Sequence, residues 1–294
     1  MKSKIVIICN PVAKRASGKK AAMASYYLQS KGYDVTVRFT EKKGDAEDLA
    51  KAALKDSPGI VIAAGGDGTF NEVANAVAGS DTPVAILPLG TTNVLAKELD
   101  IPEDVHGAMS AAVRKTAKTV CLGRITLTKH PEQSRLFLVM AGIGLDGSAV
   151  YGVNDRIKKI SGKGSYLYSG FKTWLKSKQE ELVFRVNGST FRGYSAVVGN
   201  AAKYGGHFKI TPDARLIDPA FYICIFHGRR RSDMVRYVLG IVTGGRHLKF
   251  KDVTYLKAES IMIKGEAHIQ IDGDYYGMTP ARVEIVRQAV RLIY

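Results

Sequence analysis

A glycine-rich segment between an apolar run and a helical pattern constrains the fold of this chain more than any other feature. Residues 60–64 form a short apolar run that is typical of a buried strand, and apolar residues recur at helical spacing over residues 70–78. Between them stands Gly65-Gly66-Asp67-Gly68-Thr69. Glycines let a backbone approach a ligand closely, and the N–H groups at a helix start attract anions. The segment therefore predicts a phosphate-binding turn, and the alternative is a tight turn without a ligand.

Asp67 narrows the kind of phosphate ligand that this turn would bind. A carboxylate beside a phosphate is repulsive unless a cation lies between the two, which indicates a magnesium–nucleotide complex. The segment is neither a Walker A motif nor a Rossmann fingerprint, and the chain contains no Walker A motif elsewhere.

Strand and helix patterns alternate through the first part of the chain. The alternation predicts a parallel sheet with helices on both faces. The predicted strands are residues 5–9, 33–39, 60–64 and 84–87, and the predicted helices are residues 16–30, 46–55, 70–78, 92–99 and 105–116.

Polar segments follow all four predicted strands. They are Asn10-Pro11, Thr40, residues 65–69 and residues 88–93, in the order of the strands. Ligands of parallel sheets bind beyond the carboxyl ends of the strands, so we expect these segments to meet at one binding edge.

From about residue 120 the pattern changes to short alternating runs separated by turn residues, which predicts a mostly antiparallel β domain. Two helices are predicted within it. The predicted strands are residues 124–128, 136–140, 182–186, 194–198, 221–226, 260–263, 268–271 and 283–286, and the helices are residues 166–178 and 232–243.

Charge is distributed unevenly between the two parts. Residues 1–118 carry 16 Lys and Arg against 13 Asp and Glu, whereas residues 119–294 carry 27 against 14. The basic second part suits an anionic partner such as an acidic membrane, a phosphorylated substrate or nucleic acid. Nucleic acid is not expected, because no recognition motif accompanies the charge.

The absence of certain sequence features indicates the cellular compartment of the protein. No apolar run is long enough for a membrane span, and the start of the chain does not have the form of a signal peptide. Cys9, Cys121 and Cys224 are scattered and form no CxxC pair. We therefore expect a cytoplasmic protein without disulfides or a zinc site.

Five motifs in order carry a family resemblance. They are Asn10-Pro11, the glycine-rich segment at 65–69, Pro-Leu-Gly-Thr-Thr-Asn at 88–93, Gly-Ile-Gly-Leu-Asp at 142–146 and Asp-Gly-Asp at 272–274. Over its whole length the chain resembles the diacylglycerol kinase catalytic family, most closely the compact bacterial lipid kinases related to sphingosine and ceramide kinases. The second motif is shared with NAD kinases. The third and fifth favour lipid kinases.

This resemblance implies a fold of two domains. Residues 1–118 would form a parallel-sheet α/β domain that binds ATP, and residues 119–282 an antiparallel β-sandwich that binds lipid. A last strand at 283–294 would return to the first domain, and the active site would lie in the cleft between the two.

The resemblance also implies roles for individual residues. Asp67 would help to position the Mg²⁺–phosphate complex, and Asp274 would be the general base that takes the proton of the lipid hydroxyl. Taken alone, Asp272-Gly273-Asp274 is also a common hairpin turn. The residues expected to contact ATP are Asn10, Thr40, Gly66, Asp67, Gly68, Thr69, Phe70, Asn71, Glu72 and Thr91.

Three positions depart from the family pattern. Asp274 stands where relatives usually have glutamate, and Cys121 stands where they usually have aspartate. Residues 212–219 keep Asp218 where relatives have two consecutive acids. Asp218 with the carbonyl groups of Arg215 and Ala220 remains as a candidate structural cation site.

The lipid-binding side is predicted from aromatic residues beside lysines. Tyr166, Tyr168, Phe171 and Trp174 alternate with Lys163, Lys172, Lys176 and Lys178, which suits a membrane interface and equally an ordinary core helix. Arg229-Arg230-Arg231 is either a headgroup contact or a solvated loop. The expected protein is thus an ATP- and Mg²⁺-dependent lipid kinase, peripherally attracted to anionic membrane. A homodimer is left open. The alternatives are an NAD kinase and a non-catalytic nucleotide- or lipid-binding regulator.

Overall fold

A computed structural model describes residues 3–13, 17–144, 147 and 180–294. The predicted helix at 166–178 and residues 145–146 of the fourth motif lie outside the described residues. The chain divides into two compact units, residues 1–122 with 287–294, and residues 123–286.

The first unit is built on a parallel sheet, as predicted. Its strands are β1 (Lys4–Cys9), β2 (Asp34–Phe39), β3 (Ile60–Gly65) and β4 (Val84–Pro88). Their order in the sheet is β2-β1-β3-β4, and each neighbouring pair is parallel. The central strands β1 and β3 and their neighbour β4 are almost entirely buried. Burial on both faces explains why these strands read as continuous apolar runs.

Helices connect the strands of this unit. They are α1 (Ser17–Ser30), α2 (Asp45–Leu54), α3 (Asp67–Val77), α4 (Val94–Glu98) and α5 (Val105–Arg114). The predicted start of α3 at residue 70 is wrong. Gly66 is the extended N-cap residue, and Phe70 N donates to Gly66 O at 3.1 Å. Asp67, Gly68 and Thr69 are therefore the first turn of the helix rather than a loop before it.

The second unit consists mainly of two antiparallel sheets. The strands are β5 (Ala117–Leu127), β6 (His130–Phe137), β7 (Met140–Ile143), β8 (Leu182–Val186), β9 (Ser189–Gly193), β10 (Ser195–Gly199), β11 (Lys203–Tyr204), β12 (Phe208–Lys209), β13 (Phe221–Phe226), β14 (Val253–Ala258), β15 (Ser260–Lys264), β16 (His268–Ile271), β17 (Asp274–Met278) and β18 (Ala281–Ile293). One sheet has the order β14-β13-β10-β7-β16-β17. In the other, β15 pairs with both β8 and β18, β8 also pairs with β9, and β5 pairs with β6.

An apolar cluster lies between these two sheets and holds them together. It combines Phe184 of β8 and Ile261 of β15 with Ile143 of β7 and Phe221 of β13, all of them buried. Because both sheets contribute their inner faces, the unit is a β-sandwich, which confirms the predicted fold class. Helix α6 (Arg231–Val242) and a short 3₁₀ helix (Arg246–Lys249) stand between β13 and β14.

The predicted strand at 136–140 is wrong, because the chain breaks there into β6 and β7. The carboxylate of Asp272 accepts the backbone N–H groups of Leu138, Val139 and Met140 at 2.8, 2.9 and 3.1 Å. These amides are therefore bound to a distant side chain, and this contact has no local sequence signal.

Strand β18 belongs to both units. Val283 pairs with Ile261 of β15 in the sandwich, and Leu292 pairs in parallel with Val84 of β4. Among the described residues, no helix has the length and apolar character needed to cross a membrane.

Candidate active site

The carboxyl ends of the four parallel strands lie at one edge of the first sheet. Cys9 is in register with Phe39 and Ala64, and Gly65 with Pro88. Just beyond these ends, Asn10 N donates to Ala64 O at 2.9 Å and Thr40 N to Cys9 O at 2.9 Å. The segments predicted to form a binding edge thus leave their strands side by side.

The two glycine-containing motifs of this edge are in backbone contact. Gly90 N donates to Gly65 O at 3.0 Å, and a Cβ added to Gly90 would lie 2.6 Å from Gly66 Cα. No side chain larger than hydrogen fits at Gly90 without backbone movement. The contact fixes the segment after β4 against the start of α3.

Asp67 joins the same two motifs through its side chain. Its carboxylate accepts the N–H groups of Val94 at 3.0 Å and Leu95 at 3.1 Å, so it caps the start of α4. Burial raises the pKa of this carboxyl, and the two hydrogen bonds and the Lys97 charge oppose that rise. Asp67 is therefore a structural cap as well as a candidate ligand of the Mg²⁺–phosphate complex.

Asn93 is a residue of this edge that the sequence reasoning quoted in a motif but did not assign to the site. It has a left-handed backbone (φ 49°) and a side chain that is 4 % exposed. Its Nδ2 donates to Gly90 O at 3.0 Å, whereas within the described residues its Oδ1 has no hydrogen-bond partner. A buried carbonyl oxygen without a partner is costly, so it is a candidate for contact with a bound group.

The residues of this edge fit a Mg²⁺–phosphate group. Carboxylate and amide oxygens are suitable magnesium ligands, directly or through bound water, and Asp67 and Asn93 supply both kinds. The first turn of α3 directs backbone N–H groups outward, as any helix start does, and these suit phosphate oxygens.

Glu72 lies in the same helix as Asp67 and also holds a neighbouring helix. Its carboxylate accepts the N–H groups of Gly44 at 3.0 Å and Ala46 at 3.1 Å, at the start of α2. Asp67 and Glu72 thus each hold the start of a neighbouring helix close to the predicted binding edge.

Other residues predicted to contact ATP differ in how much of their side chains is accessible. Phe70, Thr69 and Asn71 are buried, and Asn71 Oδ1 accepts Asn75 Nδ2 at 3.1 Å. Thr40 is also buried, whereas Gly68 is half-buried and Thr91 is exposed. A nucleotide contact by Phe70 would therefore use its backbone.

Asp272 and Asp274 occupy a tight hairpin between β16 and β17. Asp272 (φ 49°) and Gly273 (φ 89°) are the two central residues, with the positive φ values of a type I′ turn. Gly273 N donates to the buried Gln270 side chain at 2.7 Å. Since the Asp272 carboxylate holds three backbone amides, it is a structural anchor. Asp274, half-buried at the start of β17, remains the candidate base.

The candidate cation site around Asp218 has a competing positive charge. Lys257 Nζ lies 3.9 Å from the Asp218 carboxylate, and Asp218 N donates to Arg215 O at 3.0 Å. A lysine beside the one carboxylate of this set disfavours a second cation, so the set fits a metal ion poorly. Ala220 and Cys121 are buried. In the part of the chain that is described, no group of three or more His, Cys, Asp or Glu has metal-binding geometry.

Comparison with known proteins gives matches along nearly the whole chain. Residues 4–125 match the diacylglycerol kinase catalytic domain, and residues 139–294 match the YegS C-terminal NAD kinase beta sandwich-like domain. Proteins named diacylglycerol kinase from Staphylococcus aureus strains bovine RF122 / ET3-1 and MRSA252 are 30% identical over 288 residues, which is 96% of this chain and 89% of theirs.

A solved structure gives the same result for the fold. The crystal structure of a diacylglycerol kinase from Bacillus anthracis str. Sterne matches with a TM-score of 0.77 and 20% identity, over 100% of this chain and 97% of that one. At this identity the likeness shows the fold alone. The sequence matches show that this chain belongs to the diacylglycerol kinase family of lipid kinases.

Proposed function

We propose that this protein transfers the γ-phosphate of ATP, in the presence of Mg²⁺, to a hydroxyl group of diacylglycerol or a related lipid. Family membership supports a lipid kinase. The observation that carries the finer proposal is the junction of Gly66, Asp67 and Asn93. There the buried amide oxygen of Asn93, which has no hydrogen-bond partner in the described part of the chain, adjoins a carboxylate and a helix start.

The first unit is assigned the nucleotide half of the reaction. Backbone N–H groups of the first turn of α3 bind the phosphates, and the Asp67 and Asn93 oxygens hold the magnesium complex. When bound, Mg²⁺ neutralises charge on the phosphoryl group being transferred. The contact between Gly66 and Gly90 keeps these groups at fixed separations before the substrate binds.

The second unit is assigned the activation of the acceptor. Asp274 accepts the proton of the lipid hydroxyl group. As it does so, the hydroxyl oxygen of the lipid attacks the γ-phosphorus, and the bond between that phosphorus and the leaving ADP oxygen breaks. Asp272 does not share this role, because its carboxylate holds the amides of residues 138–140. It is a positioning residue that fixes the turn from which Asp274 extends.

The substrate also suggests where the protein works. Diacylglycerols and related acceptors reside in membranes, so a protein of this function works at a membrane surface on the cytoplasmic side, where ATP is present. The excess of basic residues in residues 119–294 suits a surface of anionic lipid.

The proposal is tested with radiolabelled ATP, Mg²⁺ and a panel of diacylglycerols, monoacylglycerols, sphingoid bases, phosphatidylglycerol and polyprenols. We expect label in the lipid fraction with at least one acceptor and its loss in Asp274→Asn. Absence of label with every acceptor would overturn the proposal. NADP formation from NAD and ATP would identify an NAD kinase instead. Nucleotide binding without any turnover would identify a regulator.

A further inference from the structure

Helix α6 exposes an apolar face. Val235, Val238, Leu239 and Val242 are 42, 47, 57 and 50 % exposed, and their spacing places them on one side of the helix. A surface helix of a globular protein normally has polar residues on its solvent side. Among the described residues, twelve large apolar side chains are exposed, and four of them belong to this one helix.

The opposite face of α6 is fixed firmly to the second unit. Tyr237 is 2 % exposed, and its hydroxyl donates to Asp252 Oδ2 at 2.5 Å and accepts the Gly228 N–H at 2.8 Å. Arg236 forms an ion pair with Asp252. A Cβ on Gly240 would lie 2.7 Å from His247 N. The outward direction of the apolar face is thus set by packing and does not come from a loose helix.

A neighbouring strand exposes a further large apolar side chain. Strand β12 lies beside α6, and its Phe208 is 39 % exposed. Lys209, which follows Phe208, is also exposed. We call Phe208 together with Val235, Val238, Leu239 and Val242 the α6 surface.

Basic residues adjoin both ends of the helix. Residues 229–252 contain seven Lys and Arg but only two acids, Asp233 and Asp252. Both acids are engaged, since Asp233 accepts the Arg230 N–H at 2.9 Å and Asp252 pairs with Arg236. Before the helix, Arg229 and Arg230 are exposed, and after it Arg246 and Lys249 are exposed.

We propose that the α6 surface docks the protein on anionic bilayers, with its apolar side chains in the headgroup–acyl boundary and the flanking basic residues on lipid phosphates. An apolar face flanked by cations matches the two layers of such a membrane, apolar below and anionic above. A protein partner would need acidic groups around an apolar centre. The choice of a membrane as occupant rests on the proposed function, since a lipid kinase must reach its acceptor there.

The test is sedimentation of the full chain with vesicles of phosphatidylglycerol and phosphatidylcholine, compared with vesicles of phosphatidylcholine alone. We expect binding to the anionic vesicles and weaker binding at high salt. Val238→Gln/Leu239→Gln should reduce the affinity for these vesicles at least about tenfold, because two apolar side chains that would enter the membrane are lost. Arg246→Gln/Lys249→Gln should reduce it by about fivefold per charge.

Matched controls come from the first unit. Met23→Gln in α1 changes a side chain that is 60 % exposed, and Lys55→Gln removes an exposed charge. Both should bind the anionic vesicles like the unmodified protein. The proposal would be overturned if the unmodified protein did not bind the vesicles at all, or if both α6 variants bound them unchanged. It would also be overturned if the control variants lost as much affinity as the α6 variants.

Two further measurements exclude other occupants of the face. If the Val238→Gln/Leu239→Gln variant converts a dimer into a monomer in light scattering, the face joins two copies and the proposal is wrong. If that variant lowers the melting temperature by several degrees, the chain itself covers the face and the proposal is also wrong. The vesicle assay contains neither ATP nor acceptor. An inactive protein that binds would therefore overturn the proposed function and leave the docking surface standing.

Discussion

The backbone N–H of Val94 lies 3.0 Å from a carboxylate oxygen of Asp67. This hydrogen bond, with a second one from Leu95, means that a residue proposed to act on phosphate also holds the start of α4. Loss of activity on mutation of Asp67 would therefore have two explanations, and the choice of substitution has to separate them.

We expect Asp67→Asn and Asp67→Ala to be inactive to a similar extent but unequally stable. Asn can keep one of the two hydrogen bonds, whereas Ala keeps neither and should lower the free energy of unfolding by about 1–3 kcal/mol. Urea unfolding and turnover at saturating Mg²⁺ measure the two effects. Near-normal turnover of the folded Asn variant would show that the carboxylate charge is not needed for catalysis.

Glu72 should prove to be a structural residue in the absence of ligand. Glu72→Ala removes the acceptor for Gly44 and Ala46 at the start of α2 and should cost about 1–3 kcal/mol of stability. Glu72→Gln should lose only about half as much stability as Glu72→Ala, and its turnover should stay within severalfold of that of the unmodified protein. Unchanged stability with abolished turnover in both variants would instead assign Glu72 to the nucleotide.

Substitution of Asp274 should lower activity, whereas substitution of Asp272 should lower stability. Asp274→Asn removes the proposed base and should lower kcat by about a hundred- to ten-thousand-fold with little change in stability or ATP affinity. Asp274→Glu restores the residue that relatives usually have and should retain activity.

Asp272→Asn should lower the free energy of unfolding by about 1–3 kcal/mol, because an amide cannot serve the Leu138, Val139 and Met140 amides as a carboxylate does. Chemical unfolding and kinetics are measured on both asparagine variants. A fully active Asp274→Asn would show that the hairpin is only a turn.

Gly90 should tolerate no side chain. Gly90→Ala places a Cβ 2.6 Å from Gly66 Cα, so the backbones must separate, and both stability and turnover should fall. Gly18→Ala is the control for stability, since a Cβ there would have no atom of the described residues within 4 Å and alanine favours the helix. If Gly90→Ala is as stable and active as the unmodified protein, the contact between the two motifs is not required.

His247 should make stability depend on pH. Burial lowers the pKa of its imidazole from 6.5, against the hydrogen bond with Ile210 O, which raises it. The unfolded state therefore binds the proton more readily, and stability is lost as the pH falls from 6.5 toward the lower folded pKa. We expect the His247→Gln variant to lose less stability than the unmodified protein as the pH falls from 8 to 5. Thermal unfolding measured between pH 5 and 8 gives this dependence, and the comparison does not require the two proteins to be equally stable at pH 8. An unchanged slope would contradict this origin.

Local signals were sufficient for the parallel sheet and for the turn at Asp272-Gly273. Buried parallel strands are continuous apolar runs, and Asp272 and Gly273 have the positive φ values that an Asp-Gly pair favours. Contacts distant in sequence were not predictable. The break in the strand predicted at 136–140 depends on Asp272, and the role of Asp67 as a cap depends on Val94. Strand β9 was not predicted because its residues are mostly exposed and lack apolar alternation.

Strand β18 also sets an order of assembly during synthesis. The sheet of the first unit pairs with Leu292, yet the rest of that unit ends at residue 122. A growing chain makes all of residues 123–286 before Leu292 is added, which takes on the order of ten seconds or more at cellular rates. Throughout that interval the outer edge of β4 is without its parallel partner on the ribosome, so the sheet of the first unit is completed only after the sandwich has been made.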